Sequence, residues 1–149
     1  MTVPPHEAIR NLLGRYCEAM DAGDLDALAE MFEGARLTDE HGRVTAADAD
    51  GVRRLYGEGT RRWDGSPRTR HLTSNSIIDV DEGAGAATAR SSYVVFQATD
   101  GFPLQPIIAG RYRDRFALRD GEWRFVERAF AVDQVGDLSH HLTFDLPQA

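Results

Sequence analysis

An α+β domain with an antiparallel sheet is the fold class this sequence predicts, and three observations predict it. Apolar residues recur at helical spacing through the first part of the chain, they switch to short β-rich runs from Thr69 onward, and turn residues divide those runs into a consecutive series. Strands alternating with helices would instead indicate parallel pairing. The 149 residues fit one domain spanning the chain, with a core at about 6–135 and a tail at 136–149, and no repeat, low-complexity tract or linker divides it.

The first helix is expected from His6 to Met20, where Ile9, Leu12, Leu13, Tyr16 and Met20 form one apolar stripe. Asp21-Ala-Gly-Asp24 interrupts the pattern, Gly23 suiting a C-cap and Asp24 the next N-cap, and Leu25, Leu28, Ala29 and Phe32 continue a short second helix. An extended stretch, Ala35 to Val44, leads to a third helical pattern near Ala47 to Arg62, closed by Trp63-Asp-Gly-Ser-Pro67. Four strands follow, roughly Thr69–Val80, Ala86–Thr99, Leu104–Leu118 and Glu122–Gln134, with Asp120-Gly121 the sharpest hairpin signal. The tail from Gly136 to Leu142 is apolar enough to pack across the sheet or onto another subunit.

Composition narrows the function. Seventeen basic against 24 acidic residues leave a formal charge of −7, which repels phosphate backbones and anionic lipid, so neither nucleic acid nor a membrane is an expected partner. All 17 basic residues are arginine, so no side chain can form a lysine Schiff base. No export signal or apolar span of about 18 residues is seen, and the single Cys17 agrees with a reducing cytoplasm, where a buried and inert thiol is expected. There is no GxGxxG, GxxxxGK[ST] or GxSxG, and His140 and His141 are adjacent with no further ligand spaced around them, so neither a nucleotide cofactor nor a metal is expected. Arg111, Arg113 and Arg115 alternate on one strand face, opposite Tyr112, Asp114 and Phe116, and read as a solvated or subunit-facing row.

Three segments together carry a family resemblance. Tyr16-Cys-Glu-Ala-Met-Asp21-Ala-Gly-Asp-Leu, Thr69-Arg-His71-Leu-Thr-Ser-Asn75, and Gly110-Arg-Tyr-Arg-Asp-Arg-Phe116 with Asp120-Gly-Glu-Trp123 resemble, in that order, the helix exit, first long strand and last hairpin of the SnoaL-like family of the nuclear transport factor 2 superfamily. The resemblance implies a cone-shaped curved sheet packed with three N-terminal helices and enclosing one pocket for a small hydrophobic molecule. It also implies candidate catalytic residues, since Tyr16, Asp21 and His71 match the Tyr, Asp and His that face one another in the scytalone and bile-acid dehydratases of that superfamily. Those enzymes place a further acid/base group on the next strand, where this chain has Val95 or Phe96.

The chemistry of those residue types is coherent. An imidazole oriented by a carboxylate takes a proton from carbon or a hydroxyl at neutral pH, and a nearby phenol can donate to the oxygen on which charge develops. His71 is therefore the expected base, Asp21 its orienter and Tyr16 the donor, although Asp21 can equally shape the helix corner and Tyr16, on the apolar stripe, reads first as core packing. Period-2 geometry puts Asn75 on the His71 face as a substrate contact, and Tyr56, Trp63, Tyr93, Gln97 and Phe130 complete the candidate lining. The leading expectation is a cofactor-free lyase, isomerase or cyclase acting on a hydrophobic polycyclic or polyketide-like molecule. The alternatives are a non-catalytic binding protein of the same fold and a structural subunit like the β-subunits of ring-hydroxylating dioxygenases. A homodimer is expected, because a curved sheet of this kind leaves a broad outer face with apolar residues.

Overall fold

The computed structural model describes residues 2–146, so the last three residues of the tail, 147–149, lie outside the described residues. Helix α1 (Pro5–Ala22) starts on a proline at its first position, and Ile9, Leu13, Tyr16 and Met20 form its buried stripe. Burying each such side chain contributes about 1.5–3 kcal/mol, and that face settles on the sheet. The helix runs two residues past the expected end at Met20, to Ala22, and is capped by Gly23, whose φ of 70° is left-handed. A Cβ at Gly23 would stand 2.6 Å from the Gly65 carbonyl oxygen, so both conformation and space demand glycine.

Helix α2 (Leu25–Met31) is capped by the Asp24 carboxylate, which accepts the Ala27 N–H at 2.9 Å. Helix α3 (Ala49–Gly59) is capped by Asp48, which accepts the Gly51 N–H at 2.6 Å. It ends before Arg62 because the next residues are extended and tied to the tail: Thr60 pairs with Leu142, and the Arg61 N–H donates to the His141 carbonyl at 2.6 Å.

Six strands form one curved, unclosed sheet: β1 (Arg36–Asp39), β2 (Val44–Ala46), β3 (Thr69–Asp81), β4 (Ala86–Thr99), β5 (Phe102–Arg119) and β6 (Glu122–Val135), in spatial order β2-β1-β6-β5-β4-β3. The stretch expected to be simply extended before the third helix is a small hairpin, its turn closed by Asp39 accepting the backbone N–H groups of His41 and Arg43, each at 2.9 Å. The sheet is mixed, because β1 lies parallel to β6 while every other neighbouring pair is antiparallel. That pairing joins segments distant in sequence and leaves no local signature in either.

Two irregularities decide what the sheet presents inward. In β3 the register with β4 shifts between Ser74 and Ile77, and Asn75 there has a φ of 52°. In β6 the register with β5 shifts beside Arg115 and Phe116, so that both Phe125 and Arg128, three positions apart, are buried. Residues 136–146 then cross from the end of β6 to the end of α3 as a strap. Thr143 donates its N–H to Gly59 at 3.1 Å, and His140 stacks on Phe102 with ring centroids 4.4 Å apart. No helix of the described residues is long and apolar enough to cross a membrane.

Candidate functional site

The last turn of α1 lies against the start of β3, and this juxtaposition builds the site. Asp21 Oδ1 accepts from His71 Nδ1 at 2.6 Å, and its two carboxylate oxygens also receive the backbone N–H of His71 at 3.1 and 3.0 Å. Thr69 donates its hydroxyl to the same carboxylate at 2.9 Å. The arrangement follows from strand periodicity, since Thr69 and His71 project from one face of β3 toward the helix end. Burial works to raise the Asp21 pKa, but the hydrogen bond and charge of His71, its backbone N–H and the Thr69 hydroxyl together hold it below the usual carboxylate range. Asp21 is therefore an anion that fixes the proton of His71 on Nδ1. Nε2 of His71 makes no hydrogen bond within the described residues, and is left as the basic nitrogen.

Tyr16 is buried beside this pair, its ring edge-on to the His71 imidazole with centroids 6.3 Å apart. Its hydroxyl lies 3.2 Å from that of Tyr56, which α3 brings to the same place. Burial, the largest influence, raises the pKa of both phenols, so both keep their protons and remain donors. Tyr93 stacks on Tyr112 at 4.4 Å and donates its hydroxyl to the Ala131 carbonyl at 3.1 Å. Phe130 stands edge-on to Tyr112 and borders an open groove of about 1360 Å³ that runs under the strap and the β1–β2 turn. His71, Asp21, Tyr16, Tyr56 and Tyr93 thus converge as neighbours of one interior.

Three candidate lining residues stand elsewhere. Asn75 is exposed, because the register shift and left-handed backbone at its position break the alternation that would have put it beside His71. Trp63 packs at the strap, its Nε1–H donating to the His140 carbonyl at 3.1 Å and its ring stacked on that imidazole. Gln97 is fully buried, but its amide NH₂ is committed to the carbonyls of Pro67 and His140, at 3.0 and 2.9 Å, so it anchors the strap. Cys17 is half-buried, its Sγ 3.4 Å from the Thr73 hydroxyl, and burial raises its pKa, as an unreactive thiol requires.

Two features of the interior escaped the sequence reading. The first is a fully buried ion pair: Arg128 donates Nε–H and Nη2–H to the two carboxylate oxygens of Asp114, each at 2.8 Å, across adjacent strands. The guanidinium carbon lies 3.8 Å from the ring centre of Tyr112 and 4.3 Å from that of Tyr16, which sets a fixed positive charge against the phenol beside His71. Burial disfavours that charge, yet the Asp114 carboxylate outweighs it and raises the Arg128 pKa. Arg128 Nη1 has no partner. A signal existed for Asp114, since alternation places it inward between Tyr112 and Phe116. The second feature is His141, buried within the strap, which sequence spacing had set aside; no pattern in the tail distinguishes it from exposed His6 and His41. Among the described residues no group of three or more His, Cys, Asp or Glu side chains is arranged to hold a metal ion.

A family model described as SnoaL-like domain matches residues 2–129. Over 86 residues the sequence is 35% identical to the β subunit of benzene 1,2-dioxygenase from Pseudomonas putida, an alignment spanning 55% of this chain and 46% of that subunit, about half of each. The fold is similar to Rv3472 of Mycobacterium tuberculosis, a protein of unknown function, with a TM-score of 0.71 and 28% identity over 87% of this chain and 72% of that one. It is also similar to a scytalone dehydratase-like protein of Novosphingobium aromaticivorans, with a TM-score of 0.68 and 25% identity over 89% of this chain and 86% of that one.

Proposed function

Because the chain belongs to the SnoaL-like domain family, we propose that it is an acid/base enzyme of that fold, a lyase, isomerase or cyclase that moves a proton on a small hydrophobic molecule without a cofactor. One observation carries the reading. His71 is a buried imidazole whose Nδ1 proton is pinned by an ionised carboxylate and whose Nε2 is left without a partner among the described residues. In the proposed step Nε2 takes a proton from a carbon next to a carbonyl, and Asp21 stabilises the imidazolium that results. The electron pair moves onto the carbonyl oxygen, where the neutral phenol of Tyr16 or Tyr56 donates a hydrogen bond and the Arg128 charge behind Tyr16 favours the enolate. The proton then returns at another atom in an isomerisation, or a β-leaving group departs in an elimination.

The same proposal extends to partners: a small apolar molecule, as the family likeness implies, not nucleic acid or membrane, which the net negative charge disfavours, with the chain a cytoplasmic homodimer. Exposed Leu72, Ile77 and Val132 on the strands supply apolar surface for that contact. A second reading, a non-catalytic subunit, is favoured by the identity shared with the dioxygenase β subunit.

The test uses 2-tetralone, an apolar ketone with acidic carbon-bound protons, in D₂O. Wild-type protein is expected to accelerate loss of its α-proton NMR signals over buffer, and His71→Ala to abolish the acceleration. Exchange at the buffer rate with wild type, despite measurable binding, favours the non-catalytic reading.

A further inference from the structure

His141 lies in the strap between Leu138 and Leu142, and both leucines line the open groove. His141 itself does not line that groove and is only 5% exposed. The backbone around it is tied down on several sides: its carbonyl accepts from Arg61 at 2.6 Å, its N–H donates to Leu138 at 3.0 Å, and the preceding carbonyl receives both Gln97 and Trp63. The neighbouring His140 imidazole is bonded to Thr99 at 2.8 Å and stacked between Trp63 and Phe102. Gln97 opposes Thr69 across β3 and β4, one pair along from His71 and Val95 on the same face, and its amide holds the His140 carbonyl, so the turn that carries His141 lies over the face of the sheet that carries His71. Yet His141 itself gains nothing from this anchoring. Its Nδ1 is buried without a hydrogen-bond partner, an arrangement that costs about 1–3 kcal/mol unless a guest supplies the missing bond.

The strap thus holds an unsatisfied imidazole over the face of the sheet that carries His71, whose own strand partner, Val95, is apolar. We infer that His141 is the second imidazole of this site, carried in by the C-terminal strap to hydrogen-bond a hydroxyl or carbonyl oxygen of the hydrophobic molecule bound at His71. The inference rests on the ligand position proposed above and adds the functional group recognised: a ligand with one oxygen placed at the edge of an apolar ring system. It assigns His141 a contact to substrate oxygen, with proton abstraction remaining at His71.

Two probes of equal shape test it, 2-naphthol and naphthalene, their dissociation constants measured for wild type, His141→Leu and His141→Gln. Wild type is expected to favour 2-naphthol by about tenfold, the value of one hydrogen bond in a dry site. His141→Leu should reduce that preference to near unity, and His141→Gln should retain part of it. In parallel, the ¹⁵N signals of the His141 ring in wild type should move on adding 2-naphthol. An unchanged preference in His141→Leu, or ring nitrogens unmoved at saturating 2-naphthol, overturns the assignment, and the spectra decide the matter if the leucine variant does not fold. Binding of 2-naphthol does not require proton transfer. Protein that discriminates the two probes but leaves 2-tetralone unexchanged would refute the catalytic reading and uphold His141, and the converse pair of results would do the opposite.

Discussion

The carboxylate of Asp21 holds His71 from two directions, accepting the ring Nδ1–H at 2.6 Å and the backbone N–H of the same residue at 3.0 Å. Side chain and main chain of the histidine are therefore locked to one group. The end of α1 cannot shift along β3 without breaking both bonds, which makes this pair a structural joint as well as a proton-handling one.

On the proposed reading, His71→Ala and Asp21→Asn each lower turnover by at least about 10²-fold, the usual lower range for a positioned acid/base. The double variant should lose little more than the worse single one, since the two act as a unit. Tyr16→Phe should cost less, because it removes one hydroxyl from the contact with Tyr56 and keeps the ring under Arg128. Steady-state kinetics on any exchanged ketone checks all four.

Stability depends most sharply on the buried ion pair. Asp114→Ala should destabilise by about 3–5 kcal/mol, because it strands the Arg128 charge at a site with no exposure. Combining Asp114→Leu with Arg128→Met should recover most of that loss. Urea unfolding midpoints of the single and double variants measure the difference.

Acid should weaken the fold in two windows. Burial, reinforced by the charge of His71, lowers the His141 pKa from 6.5 to about 4, so between those values the unfolded chain binds more protons than the folded one and stability falls as pH falls. A shift of that size is worth about 3 kcal/mol, and it should vanish in His141→Leu. Asp21, whose folded pKa is depressed, contributes stability above its ordinary value that is lost as pH drops through the folded one. Unfolding free energies measured from pH 8 down to about pH 2, wild type against His141→Leu, should separate the two, since the His141 window closes near pH 4 and the Asp21 window opens below it.

Gly110 sits where β5 passes under two neighbours. A Cβ there would lie 2.0 Å from the Ala131 carbonyl oxygen and 2.7 Å from the Tyr93 hydroxyl, so Gly110→Ala must displace backbone in β6 and the Tyr93 ring together. A loss of about 1–3 kcal/mol is expected from such overpacking, read as a lowered melting temperature.

The homodimer proposed from the apolar outer strands should give twice the 16.5 kDa chain mass by light scattering at micromolar concentration. A monomeric mass there would remove the dimer from the reading.

By itself the sequence determined the three helices, the four long strands and their order, because their signals are local: the Ile9-to-Met20 stripe, the glycine and aspartate at the α1–α2 corner, and the Asp120-Gly121 turn each act over a few residues. The family resemblance carried by two of its segments also brought Asp21 and His71 into one hypothesis, and the geometry places them in contact. Only the tertiary structure decided which way the strand residues face. Strict alternation would put Asn75 with His71 inside and Arg128 opposite Phe125 outside, but one register shift in β3 and another in β6 reverse both outcomes. It likewise decided the role of His141, a residue that local pattern leaves indistinct. Its burial depends on the strap pairing with Thr60 and Arg61 and on the rings of Trp63 and Phe102 catching His140, contacts between segments far apart in the chain that no short-range period encodes.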